Sequence, residues 1–316
     1  MNEHLASGPA RPAVTVVIPT FNRAAIVVRA IRSVLGQTCQ DWELIVVDDG
    51  STDGTEQAVK GLSDNRIKYI RHDRNRLAGA ARNTGIRYAQ GEYVAFLDSD
   101  DEWPPEKLQK ELEVFRNSDP AVGLVYTGKM ILDETGRVLE IRMATKSGWV
   151  FDALLDSNFI GSSSLVTVKK QALERVGGFD ETLVSHQDWD LCLRVARVSR
   201  IAFVPNCLVK RHLGSDQISG SLQRICEGRE RILQKYRSEM KPRTLALHLS
   251  RAALLLFNYD PRRARALAWE GLRLRPVQPL LVAGVAASIL GMGSYRWLFK
   301  KLTKWRQGPY IGRARI

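Results

Sequence analysis

The sequence predicts an α/β protein with a mostly parallel central sheet flanked by helices, followed by a helical C-terminal appendage. Three observations carry this. Short β-branched runs alternate with segments of helical periodicity from residue 13 to about residue 100. Polar and acidic residues recur where those runs end. From residue 222 onward the pattern is helical, with apolar and basic residues interleaved.

The elements follow in order. AVTVVIPTFN (13–22) is a β-branched run closed by Pro19 and Asn22, which reads as a buried strand entering a loop. Within 23–38, Ile26, Val27, Ala30, Ile31, Val34 and Leu35 recur at helical spacing, with Arg29 and Arg32 on the other face. WELIVVDDGSTDGT (42–55) is a second strand running into a Gly/Ser/Asp turn, and a short helix is expected over 55–62. IKYIRH (67–72) is a third strand. GAARNTGIRYAQG (79–91) is a helix for which Gly91 is the expected C-cap. EYVAFLDSD supplies a fourth strand, and Asp101 and Glu102 are expected to start the next helix with Trp103, Pro104 and Pro105. Strands that alternate with helices in this way are buried on both faces. A coarser mixture continues to about residue 210, and 244–257 with 261–275 read as a helical pair punctuated by Pro242, Pro261 and Pro276.

The 316 residues suit one large or two modest domains, and 44% hydrophobic with 26% charged residues is ordinary for a globular protein. Cys39, Cys192, Cys207 and Cys226 show no CxxC spacing, which disfavours a disulfide or zinc framework and fits a reducing compartment. Residues 1–12 lack a basic segment followed by an apolar run, so no signal peptide is expected, and they are expected to be disordered. The net charge of +13 is unevenly spread. Residues 1–209 hold 25 Lys/Arg against 28 Asp/Glu, a net of −3, whereas 210–316 hold 22 against 6, a net of +16. An anionic partner is therefore expected for the C-terminal third alone. Residues 276–295 carry no charge and are just long enough to span a bilayer, but Gln278, Pro279, Ser288, Ser294 and three glycines interrupt them. A packed helical appendage is the preferred reading. The KKLTKWRQGPYIGRARI tail, with Trp297 and Phe299 just before it and Trp305 within it, suits an anionic membrane surface or a solubilising basic face.

Ligands of an open parallel sheet bind at the carboxyl ends of its strands. Thr20, Asn22, Asp48, Asp49, Asp98 and Asp100 all fall at such ends and would line one edge. In DSDD, carboxylates two residues apart past a strand suit Mg²⁺ or Mn²⁺ shared with a phosphate, or else a solvated turn that caps the following helix. In VVDDGSTDGT the acids can accept from a base or ribose, or cap the next helix. A calcium loop starting at Asp49 is excluded because its twelfth position is Lys60. GAARNTG is not GxGxxG, and no phosphate-binding GxxxxGK[ST] occurs. In VGGFDETLVSHQDWDLCLRVAR, Asp188 and Asp190 open an amphipathic helix, as N-caps or as a general base at a pocket rim. His212 follows another strand-like run and stands alone, while His72 and His248 have no motif around them.

Taken in order, VVIPTFNR, SVLGQT, WELIVVDDGSTDGT, GAARNTGIRYAQGEYVAFLDSDD, GSSSLVTVKK, VGGFDETL and HQDWDLCLR resemble a family 2-type glycosyltransferase with the nucleotide-diphospho-sugar transferase (GT-A) fold. The resemblance covers about residues 13–215 and implies a catalytic domain there, leaving 216–316 as a basic helical region. It implies that Pro19, Thr20, Asn22 and Asp49 hold the uracil and ribose of a UDP-sugar, with Arg76 near the base or diphosphate. Asp98 and Asp100 would form a DxD element, the second acid holding Mg²⁺ or Mn²⁺ and the first reaching ribose, metal or its water. Asp188 would be the catalytic base, and His212 would lie near the diphosphate or metal. The family usually has Glu before that base, where this chain has Gln187, and Asp190 is the fallback. No QxxRW motif is present, so one or few additions per acceptor are expected rather than processive synthesis.

The implied function is an inverting transfer of sugar from a UDP-sugar to a hydroxyl of a glycan or lipid-linked acceptor, in bacterial surface polysaccharide synthesis. The implied place is the cytoplasm, peripheral at the inner face of the membrane. A sugar-phosphate nucleotidyltransferase would need a Gly-rich, Arg/Lys-containing loop after the first strand, which PTFNR does not supply. A non-enzymatic anion-binding module is disfavoured by the near-neutral first two-thirds, and no nucleic-acid partner is expected.

Overall fold

The computed structural model describes residues 11–213, 222–257 and 260–275. The chain divides into two compact units, Met1–Thr182 with Gln187–Gly214, and Leu183–His186 with Ser215–Ile316. Residues 1–10 of the N-terminus expected to be disordered over 1–12, the uncharged 276–295 segment and the basic tail lie outside the described residues.

In the first unit, β1 (Val14–Thr20), α1 (Ala24–Leu35), β2 (Trp42–Asp48), α2 (Thr55–Lys60), β3 (Ile67–Arg71), α3 (Leu77–Tyr88) and β4 (Tyr93–Phe96) alternate as the sequence periodicity requires. There follow β5 (Asp101–Glu102), α4 (Lys107–Asn117), β6 (Val122–Leu132), β7 (Val138–Arg142), α5 (Phe151–Asp156), β8 (Val166–Lys169), α6 (Lys170–Val176), α7 (Gln187–Val198) and β9 (Arg200–His212). One sheet runs β3-β2-β1-β4-β8-β6-β9-β5, with β7 on β6. β1 to β4 pair in parallel, the doubly wound part legible in the sequence. Beyond β4 the sheet is mixed, because β8 runs antiparallel to both β4 and β6, while β6 and β9 are parallel.

Both faces of β1 are covered. Val14, Val16 and Ile18 pack with Val27, Ala30, Ile31 and Val34 of α1. On the opposite face Val17 meets α3, where a Cβ on Gly85 would lie 2.3 Å from its Cγ1. The expected role of Gly91 is corrected. α3 is closed by Ala89, and Gly91 lies against β1, where a Cβ would be 2.6 Å from the Thr15 nitrogen. Glycine is there for close approach of two backbones.

Asp101 and Glu102 also depart from expectation. They form β5, antiparallel to β9 with Asp101 opposite Arg211, and α4 begins only at Lys107. The pairing to β9 was not visible in a two-residue segment. Behind it, Trp103 donates from Nε1 to the Ser164 carbonyl at 3.0 Å, and the Lys107 ammonium lies 4.1 Å from the Trp103 ring centre. Lys107 also pairs with Glu111 at 2.7 Å, both fully buried, and Thr167 donates to the same carboxylate oxygen. This network fixes the chain after DSDD from below.

The second unit contains α8 (Leu222–Tyr236), α9 (Pro242–Leu256) and α10 (Pro261–Leu274). Pro242 and Pro261 sit in the first turns of α9 and α10, where a missing N–H costs nothing, and Asp260 caps α10 by accepting from Arg263 N. Leu245, Ala246, Leu249, Ala252 and Ala253 of α9 are buried, as are Ala264, Leu267 and Ala268 of α10. Arg263 pairs with Glu230 at 3.0 Å. Among the described residues, no helix is long and apolar enough to cross a membrane.

Candidate active site at the sheet edge

The carboxyl ends of β1, β2 and β4 carry the residues singled out by sequence. At β2, Asp48 is buried and accepts from Ser51 N at 2.8 Å and from the Tyr69 hydroxyl. Asp49 is buried as well. It accepts from Arg76 N at 2.9 and 3.0 Å and lies 2.7 Å from His72 Nδ1, whose Nε2 is 2.9 Å from Thr84 Oγ1. Asp49 is thus held at the strand end by the His72 ring and the Arg76 backbone. Sequence reasoning missed His72, although it directly follows β3 on the same edge.

At β1, Thr20 is buried with a hydroxyl unpartnered among the described residues, and Pro19 is buried just before it, opposite Val47. Asn22, at φ 50°, clamps the two edge loops together. Its N–H donates to Ser51 Oγ and its Oδ1 accepts from Thr52 N, each at 2.8 Å. For Arg76 it is the backbone that reaches Asp49, whereas its guanidinium lies 3.5 Å from Glu181.

At the end of β4, the Asp98 side chain is 27% exposed and Asp100 24%. Asp98 accepts from Arg82 Nη2 at 2.6 Å and from Ser163 Oγ at 2.9 Å, and its N–H donates to Ser164 Oγ. Burial works to raise the Asp98 carboxyl, but the Arg82 charge and hydrogen bond, with Ser163, hold it below the usual carboxylate range. Asp100 pairs with Arg23 at 3.0 Å, and Arg29 donates to its carbonyl. Buried Asp101 is pushed up to about 7 by desolvation and by the charges of Asp98 and Asp100.

Arg82 is the residue that joins the two halves of the site. Its Nη1 donates to Gln187 Oε1 at 3.2 Å while Nη2 holds Asp98, so the end of β4 and the start of α7 share one guanidinium. Gly79 lets α3 lie close, since a Cβ there would be 3.3 Å from Gln187 Nε2. Asp188 follows Gln187. Desolvation raises its carboxyl to about 6, assisted by Asp98 and opposed by its bond from Trp189 N and by Arg82 and Lys129. A carboxyl raised towards neutrality is suited to accept a proton. Asp190, the fallback, stands in a different setting. It is fully buried and ion-paired to Arg194 at 2.7 Å.

His212 lies 3.4 Å from Glu102 on the neighbouring strand rather than in a cluster with the acids. Among the described residues no three His, Cys, Asp or Glu side chains assemble a metal cage. Asp100, a partly exposed hard oxygen donor, fits an Mg²⁺ or Mn²⁺ that takes most of its shell from a diphosphate and water.

A curled, mixed α/β sheet in this strand order, flanked by helices, is the fold of the nucleotide-diphospho-sugar transferases. The solved structure of residues 1–349 of TarS from S. aureus, in complex with UDP-GlcNAc, is similar in fold with a TM-score of 0.65 at 18% identity, covering 95% of each chain. Residues 15–176 match the family Glycosyl transferase family 2, and the chain belongs to it. An uncharacterized glycosyltransferase of Rickettsia felis is 30% identical over 264 residues, 79% of this chain and 43% of its own length. The chain thus spans less than half of that relative. The UDP-Glc:alpha-D-GlcNAc-diphosphoundecaprenol beta-1,3-glucosyltransferase WfgD of Escherichia coli is 31% identical over 196 residues, 61% of this chain and 73% of its own.

Proposed function

We propose that this chain transfers a sugar from a UDP-sugar to a hydroxyl of a glycan or lipid-linked acceptor by single displacement, inverting the anomeric configuration, in the synthesis of a bacterial surface polysaccharide. The observation that carries the reading is Arg82, which ties Asp98 at the end of β4 to Gln187 beside Asp188. The donor-side acid and the residue next to the acceptor-side base thereby share one guanidinium. WfgD, by its name, uses UDP-glucose and a diphosphoundecaprenol-linked sugar, which supports the donor and acceptor classes.

Asp49, locked by His72 and the Arg76 N–H, is suited to accept from the uracil or ribose at the edge formed with Pro19, Thr20 and Asn22. Asp98 reaches the ribose side, oriented by Arg82 and Ser163. Asp100 would hold the divalent cation, and the ion when bound stabilises charge on the departing diphosphate. Asp188 takes the acceptor's proton as its oxygen attacks the anomeric carbon. In the second unit, Trp269 is 56% exposed beside the exposed arginines Arg262, Arg265 and Arg273, which supports a peripheral cytoplasmic position against an anionic membrane.

A donor screen reading UDP release, run in EDTA and with added Mn²⁺, tests this. Transfer from a UDP-sugar is expected only with the ion, and full activity in EDTA would overturn the metal assignment.

A further inference from the structure

Lys129 lies on β6 in the first unit and has no role in the chemistry above. It is 4% exposed, yet among the described residues its ammonium makes no hydrogen bond and no ion pair. A buried charge is tolerated when a partner of opposite sign meets it, and among the described residues none does so at contact distance.

The strand register explains its surroundings. Lys129 is opposite Arg142 of β7, and Arg211 of β9 stands opposite Ile131, two residues further along β6. Residues two apart on a strand share a face, so Lys129, Arg142 and Arg211 converge on one side of the sheet. Asp101, opposite Arg211, shares that face, and Asp188 of α7 is near enough for its charge to act on the ammonium. Arg142 is engaged by Glu140 at 2.6 Å. Burial first, then the charges of Arg211 and Arg142, push the Lys129 ammonium down to about 8, against the weaker opposing pull of Asp101 and Asp188. It therefore stays protonated at neutral pH in a locally positive setting.

Space is kept open at its tip. Gly161 has φ +107°, and a Cβ built there would be 3.0 Å from Lys129 Nζ. Asn158 secures that turn by accepting from Gly161 N at 3.0 Å and donating to its carbonyl at 3.3 Å. Any larger residue at this position would cover the ammonium.

We infer that Lys129 is the anchor of an oxyanion subsite beside Asp188, which takes a phosphate or carboxylate group carried by the acceptor. This rests on the reading of Asp188 as the base that receives the acceptor hydroxyl. It adds that the acceptor is anionic next to the reacting hydroxyl. A neutral glycan acceptor would leave the ammonium unmet. The shared chemistry is a tetrahedral or planar oxyanion, supplied either by a phosphate link or by a uronic acid.

The test uses the full chain saturated with UDP, which fills the donor side, titrated with methyl phosphate, methyl glucuronide and methyl glucoside and followed by ligand-observed NMR. One anion is expected to bind at least about tenfold more tightly than methyl glucoside, the scale of one charge-assisted hydrogen bond. Which anion it is identifies the phosphate or the uronic acid. Lys129→Met should lose that preference and Lys129→Arg should keep most of it, while UDP affinity stays unchanged in both and reports correct folding. Equal binding of all three probes to the wild type, or an anion preference intact in Lys129→Met, overturns the subsite. A wild type that binds the anion but not UDP would instead sink the nucleotide-sugar reading and leave Lys129 as an anion site.

Discussion

Asp188→Asn should make the protein more stable and nearly inactive at once. Asp188 is half-buried, and desolvation is the largest influence on its carboxyl, raising it from 3.8 to about 6. The folded state therefore binds a proton that the unfolded chain has released between those values. Stability contributed by the protonated group is fully present below 3.8 and is lost as pH rises through about 6. At about 1.36 kcal/mol per pKa unit, ionised Asp188 costs at most about 3 kcal/mol, and solvent at its exposed edge reduces this to about 1–2 kcal/mol. The asparagine keeps the shape and carries no charge. Urea unfolding at pH 8 should show the variant about 1–2 kcal/mol more stable, and at pH 4.5 the difference should shrink towards zero. Transfer at pH 8 should fall by about 10²–10⁴, the usual share of a general base, while UDP binding persists. Wild-type activity should itself decline as pH drops through about 6. A variant with turnover within tenfold of wild type would refute Asp188 as the base. An inactive variant with no gain in stability at pH 8 would refute the desolvation argument.

Two further substitutions separate donor binding from packing. His72→Ala removes the 2.7 Å contact to Asp49 and leaves that buried carboxylate with fewer partners, so the UDP dissociation constant should rise about tenfold by calorimetry with little change in kcat. Gly85→Ala gains up to about 1 kcal/mol of helix propensity, but its methyl would sit 2.3 Å from one methyl of buried Val17 and 2.7 Å from the other. Overpacking of about 1–3 kcal/mol should win, and a lower urea midpoint at unchanged slope would show it.

The part of the fold written most plainly in the sequence is the part governed by local periodicity. Strands β1, β2 and β4 carry continuous buried apolar runs, and α1 shows its buried stripe directly. β5 was hidden because two acidic residues carry no strand signal. They pair only because β9, more than a hundred positions later, presents Arg211 and Lys210 to them. Gly91 was misread for a related reason. A glycine after a helix has two physical explanations, a left-handed cap or a close backbone approach, and only the neighbouring strand decides between them.

The site divides along the same line. Its acids were legible because strand ends in a parallel sheet announce themselves, so the sequence alone places Asp49, Asp98 and Asp100 on one edge. The residues that organise those acids were not. Arg82 sits in a run of alanine and glycine on α3 that reads as a packing helix, and its value comes from touching Asp98 and Gln187, which are distant from each other in the chain. Lys129 sits in an apolar strand where a lysine looks like an exposed edge charge, and only its burial without a partner makes it informative. Carboxylates at a strand end are positioned by the backbone that carries them, so sequence suffices to find them. Cations that reach across the cleft are defined by what they meet, and that is a property of the fold. A search for acceptor determinants in relatives of this chain should therefore start from buried, unmatched cations facing α7 rather than from any linear motif.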